Sequence, residues 1–100
     1  MTSRAPAEVS RVARQHAWRE VNENIASLAD RLTRAIAEAD RDWTFMCECG
    51  GAPCREMLTV PLGAYRAARL RDCFIVAAGH EAPSDRVVER QADYVVVALA

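Results

Sequence analysis

Three of the chain's four cysteines fall within eight residues, Cys47-Glu48-Cys49-Gly50-Gly51-Ala52-Pro53-Cys54. Nothing else in the sequence restricts the fold as sharply. In extended backbone, residues i and i+2 point to one side, so Cys47 and Cys49 face the same point. Gly50-Gly51 and Pro53 let the chain turn back and return Cys54 to that point. Three thiols so gathered make most of a zinc site, since a structural zinc ion takes four Cys or His ligands in a closed tetrahedron.

The fourth ligand must come from elsewhere. His80 follows Gly79 at the end of the apolar run 73–78, where a side chain can swing toward a neighbouring loop. Cys73, at the start of that run, is the alternative, but it reads as a small buried hydrophobe. His16 lies within a helical stretch and reads as a surface residue. The expected metal set is therefore Cys47, Cys49, Cys54 and His80, with Zn2+ as the cofactor. A redox pair fits less well, because C-x-C is not C-x-x-C and no helix starts after Cys49. An iron–sulfur cluster is not separated from zinc by spacing alone. Arg55, beside Cys54, would offset part of the negative charge of such a site.

Composition sets the frame. One hundred residues suggest one small domain, or a small domain with an attached helix. The net charge of −1 gives no electrostatic case for nucleic acid or an anionic membrane. All thirteen basic residues are arginine. The first residues lack the apolar core of a signal peptide, and no apolar run approaches the ~20 residues of a membrane span. A cytoplasmic location is expected, where clustered cysteines argue for metal or redox chemistry over disulfides.

The expected fold class is α+β: a long N-terminal helix, then a small zinc-stabilised antiparallel β-sheet domain with one short helix. Residues 1–5 are expected to be disordered, 6–42 to form the amphipathic helix, and 43–100 the zinc-binding domain. Pro6 and Glu8 suit a first helical turn, and no Gly or Pro follows until Gly50. Trp18, Val21, Ile25, Leu28, Leu32, Ala35 and Ala39 step alternately by three and four, a narrow a/d seam. Arg11 and Arg14 break it upstream. The seam either packs on the C-terminal domain or joins a second copy or another protein through Trp18, Val21, Ile25, Leu28 and Leu32. Asp30 and Arg34 make a favourable i,i+4 pair.

Beyond the helix, 43–46 and 55–60 read as strands, with Met57 and Thr59 on one side and Leu58 and Val60 on the other. Pro61 opens a short helix, 62–71, with Leu62, Tyr65 and Ala68 or Arg69 inward. Residues 73–78 read as a buried strand. Residues 86–90 and 94–99 suit a hairpin turning at 91–93, although Val87-Val88 also suits a short helix started by Ser84 or Asp85.

These segments resemble a family of small, uncharacterised, largely actinobacterial proteins. The likeness lies in Arg19-Glu20-Val21-Asn22-Glu23, in Phe45-Met46-Cys47-Glu48-Cys49 with Cys54, in Tyr65, and in Phe74-Ile75-Val76-Ala77-Ala78-Gly79-His80. Val87-Val88-Glu89-Arg90 and Tyr94-Val95-Val96-Val97 extend it. It covers most of residues 19–97 and implies that Cys47, Cys49, Cys54 and His80 act together, with Cys73 outside. Pro61 and Ala64 depart from the family's helix-capping pattern, and Ala78 stands where a proline is usual. The resemblance implies no activity.

The functional expectation is a small cytosolic zinc-binding protein with a structural metal, an interaction or regulatory module. Two alternatives are a nucleic-acid-binding zinc protein, using Arg55, Arg66, Arg69 and Arg71, and a zinc–thiolate redox sensor. An enzyme is not expected: Glu48 and Glu81 are the only acid–base candidates near the cysteines, and both read as solvated loop residues. Residues 43–100 make a unit too small for a generous core. Zinc binding worth roughly 10–16 kcal/mol in small peptides would then dominate its folding. A chelator should unfold this half of the chain; a thermal melt unchanged by chelation would remove the structural role.

Overall fold

The computed structural model describes residues 6–33, 41–51 and 54–98. Helix α1 spans Pro6–Thr33, and β1 (Asp42–Met46) and β2 (Met57–Pro61) follow it. Helix α2 (Leu62–Leu70) leads into β3 (Phe74–Ala77), β4 (Arg86–Arg90) and β5 (Tyr94–Ala98). The α+β class, the long leading helix, the antiparallel sheets and the single short helix are as the sequence led us to expect. The expected continuation of the helix through 34–40 and the disordered 1–5 lie outside the described residues. Its expected end at 42 is corrected, because Asp42 already pairs with Pro61 as the first residue of β1.

The strands form two sheets. β1 pairs antiparallel with β2, Thr44 opposite Thr59 and Phe45 opposite Leu58. The second sheet has the order β3-β5-β4, all antiparallel. Residues 86–90 are a strand and not a helix; the register slips between Val87 and Glu89, so Val88 bulges. Placed centrally, β5 is buried from Tyr94 to Val97, and β3 along its whole length. Both strands are runs of apolar residues because neither has a solvent face. In β2 the alternation holds, with Leu58 and Val60 inward and Met57 and Thr59 exposed.

Helix α2 buries Leu62, Tyr65 and Ala68, one face at helical spacing. Tyr65 stacks on Phe45, ring centroids 4.3 Å apart, which ties α2 to β1. The helix ends at Arg71, and Cys73 N–H then bonds back to Ala68 C=O at 2.9 Å. Asp72, at φ 55°, takes the left-handed turn position usually given to glycine. Its carboxylate meets Arg19 at 2.8 Å and Arg69 at 3.7 Å, so the turn also carries a charge contact to α1.

Among the described residues of α1, the face that packs is not the apolar seam, of which only the edge residue Ile25 reaches the core. Its buried residues are Gln15, Asn22, Ala26 and Ala29, on one face. Trp18 and Ile25 are half-buried at the flank. Val21, Leu28 and Leu32 are 39, 46 and 58% exposed. Of the two readings left open for the seam, packing on the C-terminal domain is therefore corrected for Val21, Leu28 and Leu32, while Ile25 does pack against the core. The physical reason lies in what the domain offers. Met46 at the end of β1 presents its N–H and C=O toward the helix and Gly50 of the cysteine loop its C=O, and amide and guanidinium side chains answer them better than aliphatic ones. Arg34 lies outside the described residues, and Asp30 contacts Arg66 of α2.

Candidate metal centre

Cys47 and Cys49 continue directly from β1. Cys47 N–H donates to Glu56 C=O at 2.8 Å, one more rung of the β1–β2 ladder, so the first ligand sits on regular strand. Gly50 then takes φ 72°. A Cβ at that position would meet the Arg11 carbonyl oxygen at 2.3 Å and Gln15 Cγ at 2.7 Å. Both the turn and the approach to α1 thus demand glycine here. Cys54 N–H donates to Gly51 C=O at 3.0 Å as the loop returns. Residues 52 and 53 lie outside the described residues.

A second turn delivers the histidine. His80 N–H bonds to Ala77 C=O at 2.9 Å, and Gly79, third in that turn, has φ 90°. Such a turn needs a positive φ at its third residue. Glu81 braces it, accepting Gly79 N–H at 2.9 Å and the Arg90 guanidinium at 2.8 Å.

These two turns bring one potential ligand atom each from Cys47, Cys49, Cys54 and His80 within 4.8 Å of one another. His80 Nδ1 is 3.7 Å from Cys47 Sγ and 3.5 Å from Cys54 Sγ. Around a tetrahedral ion with metal–ligand distances of roughly 2.0–2.3 Å, nitrogen and sulfur stand about 3.6 Å apart. The four groups therefore fit one metal ion, and three thiolates with one imidazole are a donor set of structural zinc sites. Cys73 is not in the cluster; it is buried at the end of α2, its thiol 3.5 Å from Arg71 C=O.

Outer contacts orient the donors. Cys47 Sγ accepts Ala77 N–H at 3.1 Å, and Cys49 Sγ accepts Gly51 N–H at 3.3 Å. His80 Nδ1 faces the thiols, and its Nε2 lies on the far side of the ring, 3.8 Å from a Glu56 carboxylate oxygen. Cys47 and Cys49 are buried, whereas Cys54 and His80 are half-exposed. Over them opens a cleft of about 610 Å³, lined by Arg11, Cys49, Cys54, Arg55, Glu56 and His80.

Glu48 is the residue that sequence reasoning misplaced. It is fully buried, not solvated. Its backbone N–H donates to Ile75 C=O at 2.8 Å, and its carboxylate accepts Ile75 N–H at 2.9 Å. The Asn22 amide donates to the same carboxylate at 2.8 Å, and Arg69 stands 3.9 Å away. Burial pushes the carboxyl up to about 7, against the pull of the Ile75 and Asn22 hydrogen bonds. Alternation with Cys47 and Cys49 turns the Glu48 side chain away from the ligand point, but only the fold supplies the Ile75 and Asn22 groups that it meets there.

Asn22, quoted above only as part of the resemblance, was given no role because it lies among polar neighbours, Glu20, Glu23 and Asn24. Its Oδ1 accepts Met46 N–H and its Nδ2 donates to Met46 C=O, each at 2.8 Å. The side-chain amide therefore pairs with β1 as a further strand would. Around it lies a charge cluster joining Arg19 and Glu23 of α1 to Arg69 and Asp72. Phe74 sits within it, with the Arg19 and Arg69 guanidinium carbons 5.3 and 5.6 Å from its ring centre and His16 edge-on at 5.5 Å.

No family model, curated protein or solved structure matches the chain. Among the described residues no helix is long and apolar enough to cross a membrane.

The tetrad makes two expectations measurable by chelator competition. His80→Ala should weaken metal binding well beyond the roughly 10–100-fold that follows loss of an outer contact, while Cys73→Ala should leave it unchanged. Burial holds the Cys47 and Cys49 thiols protonated above their ordinary range. A metal must displace those protons, so its apparent affinity should rise with pH across the neutral range, and proton release on binding should be measurable by calorimetry.

Proposed function

We propose that this chain is a small cytosolic zinc-binding protein whose metal is structural and whose long helix serves assembly, and that it is not a catalyst. The observation that carries this reading is the completeness of the donor set. Four side chains converge, and four ligands close a tetrahedral ion with no position left for substrate. The Ala77 and Gly51 N–H groups, bonded to the Cys47 and Cys49 sulfurs, hold those two donors in orientation. Two of the segments by which the chain resembles the actinobacterial family meet in space, since Asn22 touches Glu48.

Val21, Leu28 and Leu32 support the assembly role. They lie exposed on a helix whose opposite flank is already seated. The a/d spacing is that of a helix–helix seam, and an antiparallel partner would set Val21 against Leu32 and Ile25 against Leu28 in one self-complementary register. A second copy of this chain is therefore the proposed partner. The nucleic-acid alternative draws little support, because Arg66, Arg69 and Arg71 face Asp30, Glu23 and Glu89 respectively. The redox alternative has one observation in its favour: Cys54 opens onto the cleft, where an oxidant can reach it.

Light scattering behind size exclusion tests the assembly role. The chain should elute at twice its own mass, and Leu28→Glu with Leu32→Glu should return it to a monomer with unchanged zinc content. A wild type that is monomeric at every concentration would remove the second copy from the proposal.

A further inference from the structure

The tetrad is carried by the strands, yet the helix holds its frame. Asn22 fixes Met46 through both backbone groups and Glu48 through its carboxylate, which are the residues on either side of Cys47. Arg14 Nε donates to Gly50 C=O at 2.6 Å, next to Cys49. Arg11 reaches Asp85 at 3.1 Å, and Asp85 in turn accepts Ala82 N–H at 2.9 Å, in the segment that follows His80. Three of the four donors thus have their backbone neighbourhood braced from α1.

The seat itself is polar. Among the described residues of the helix, Ala26 and Ala29 are the buried apolar ones, with Ile25 half-buried beside them, and the buried Gln15 amide finds no hydrogen-bond partner. Each hydrogen bond of this kind contributes little net, because water competes for both partners. Helix docking therefore depends on the loop presenting Met46, Glu48 and Gly50 in the right places. A bound metal fixes those places. Two events that need the same loop geometry are thermodynamically linked, and the linkage is reciprocal.

We propose that α1 is a reversible clamp on the metal centre: its docking through Asn22 and Arg14 tightens metal binding, and its displacement loosens it. The proposal rests on the metal reading of the tetrad. Asn22 acts as a positioning residue, since it touches no ligand atom and works through the backbone around Cys47. What displaces the helix thereby sets the metal affinity.

The test compares the full-length wild type with Asn22→Ala and Arg14→Ala, and with Glu20→Ala, on the exposed face of α1, as the control. Chelator competition with zinc should show metal binding roughly 10–100-fold weaker for Asn22→Ala, a smaller loss for Arg14→Ala and none for the control. With cobalt(II) in the site, the thiolate charge-transfer and d–d bands of Asn22→Ala should shift, because the ligand frame has relaxed. In the metal-loaded variant, amides of residues 10–32 should exchange faster while those of 74–77 and 94–98 stay protected. A wild type that takes up neither ion would defeat the metal reading itself. A wild type that binds, with both variants within about twofold of it and spectrally identical, would overturn the clamp and leave that reading standing. Lower melting temperatures with unchanged affinity would also overturn it, reducing α1 to a stabilising element. Because Arg14 is at the rim, its variant answers the question even if Asn22→Ala does not fold.

Discussion

Strand β3 has two edges, and only one of them is bonded to a strand. The other meets Cys47 and Glu48: Ile75 bonds to the Glu48 backbone and carboxylate, and Ala77 N–H points at the Cys47 sulfur. Two side-chain acceptors stand in where a neighbouring strand would supply carbonyls. This stitch joins the two-stranded sheet to the three-stranded one. Without it, β3 would leave buried N–H groups unanswered, each at a cost of about 1–3 kcal/mol. The same two residues set the first metal ligand and receive Asn22 from the helix. Sheet joining, metal geometry and helix docking therefore share one dipeptide.

A buried carboxylate is costly unless its lone pairs are met. Glu48 meets that condition with a backbone N–H, an amide N–H and a nearby guanidinium. The arrangement is specific, since each donor comes from a different element: β3, α1 and α2. A glutamine could not accept on both oxygens, and an aspartate would fall short of Ile75. The residue between the two cysteines is thus as constrained as the cysteines.

Much of the fold was legible because it depends on local chemistry. Proline before α2, the apolar runs of β3 and β5, and the alternation of Leu58 and Val60 with Met57 and Thr59 each state their own structure. His80 was legible for a similar reason, since Gly79 announces a turn and the turn aims the ring. The face of α1 was not legible. Hydrophobic periodicity identifies the apolar stripe and assumes that the stripe is what packs. Here the surface awaiting the helix is a loop with exposed peptide groups, so Asn22 and Arg14 sit inward and Leu28 and Leu32 outward. That surface exists only after the cysteine loop has folded, and no window along the helix contains it. Glu48 was misread from the same cause, because a charge in a glycine-rich loop suggests water until its partners from three elements are known.

The two glycines of the cysteine loop are not equivalent. A methyl group at position 51 would rest in ordinary contact, 3.5 Å from the Cys49 sulfur, whereas one at position 50 would strike the helix backbone. Only the first is therefore obligatory for this architecture. Other chains built on the same plan should be recognisable by a discontinuous signature: an asparagine on a leading helix, Cys-Glu-Cys-Gly with the next position free, and a distant Gly-His. A search that demands paired glycines would be too strict, since the second of them is not required by the packing.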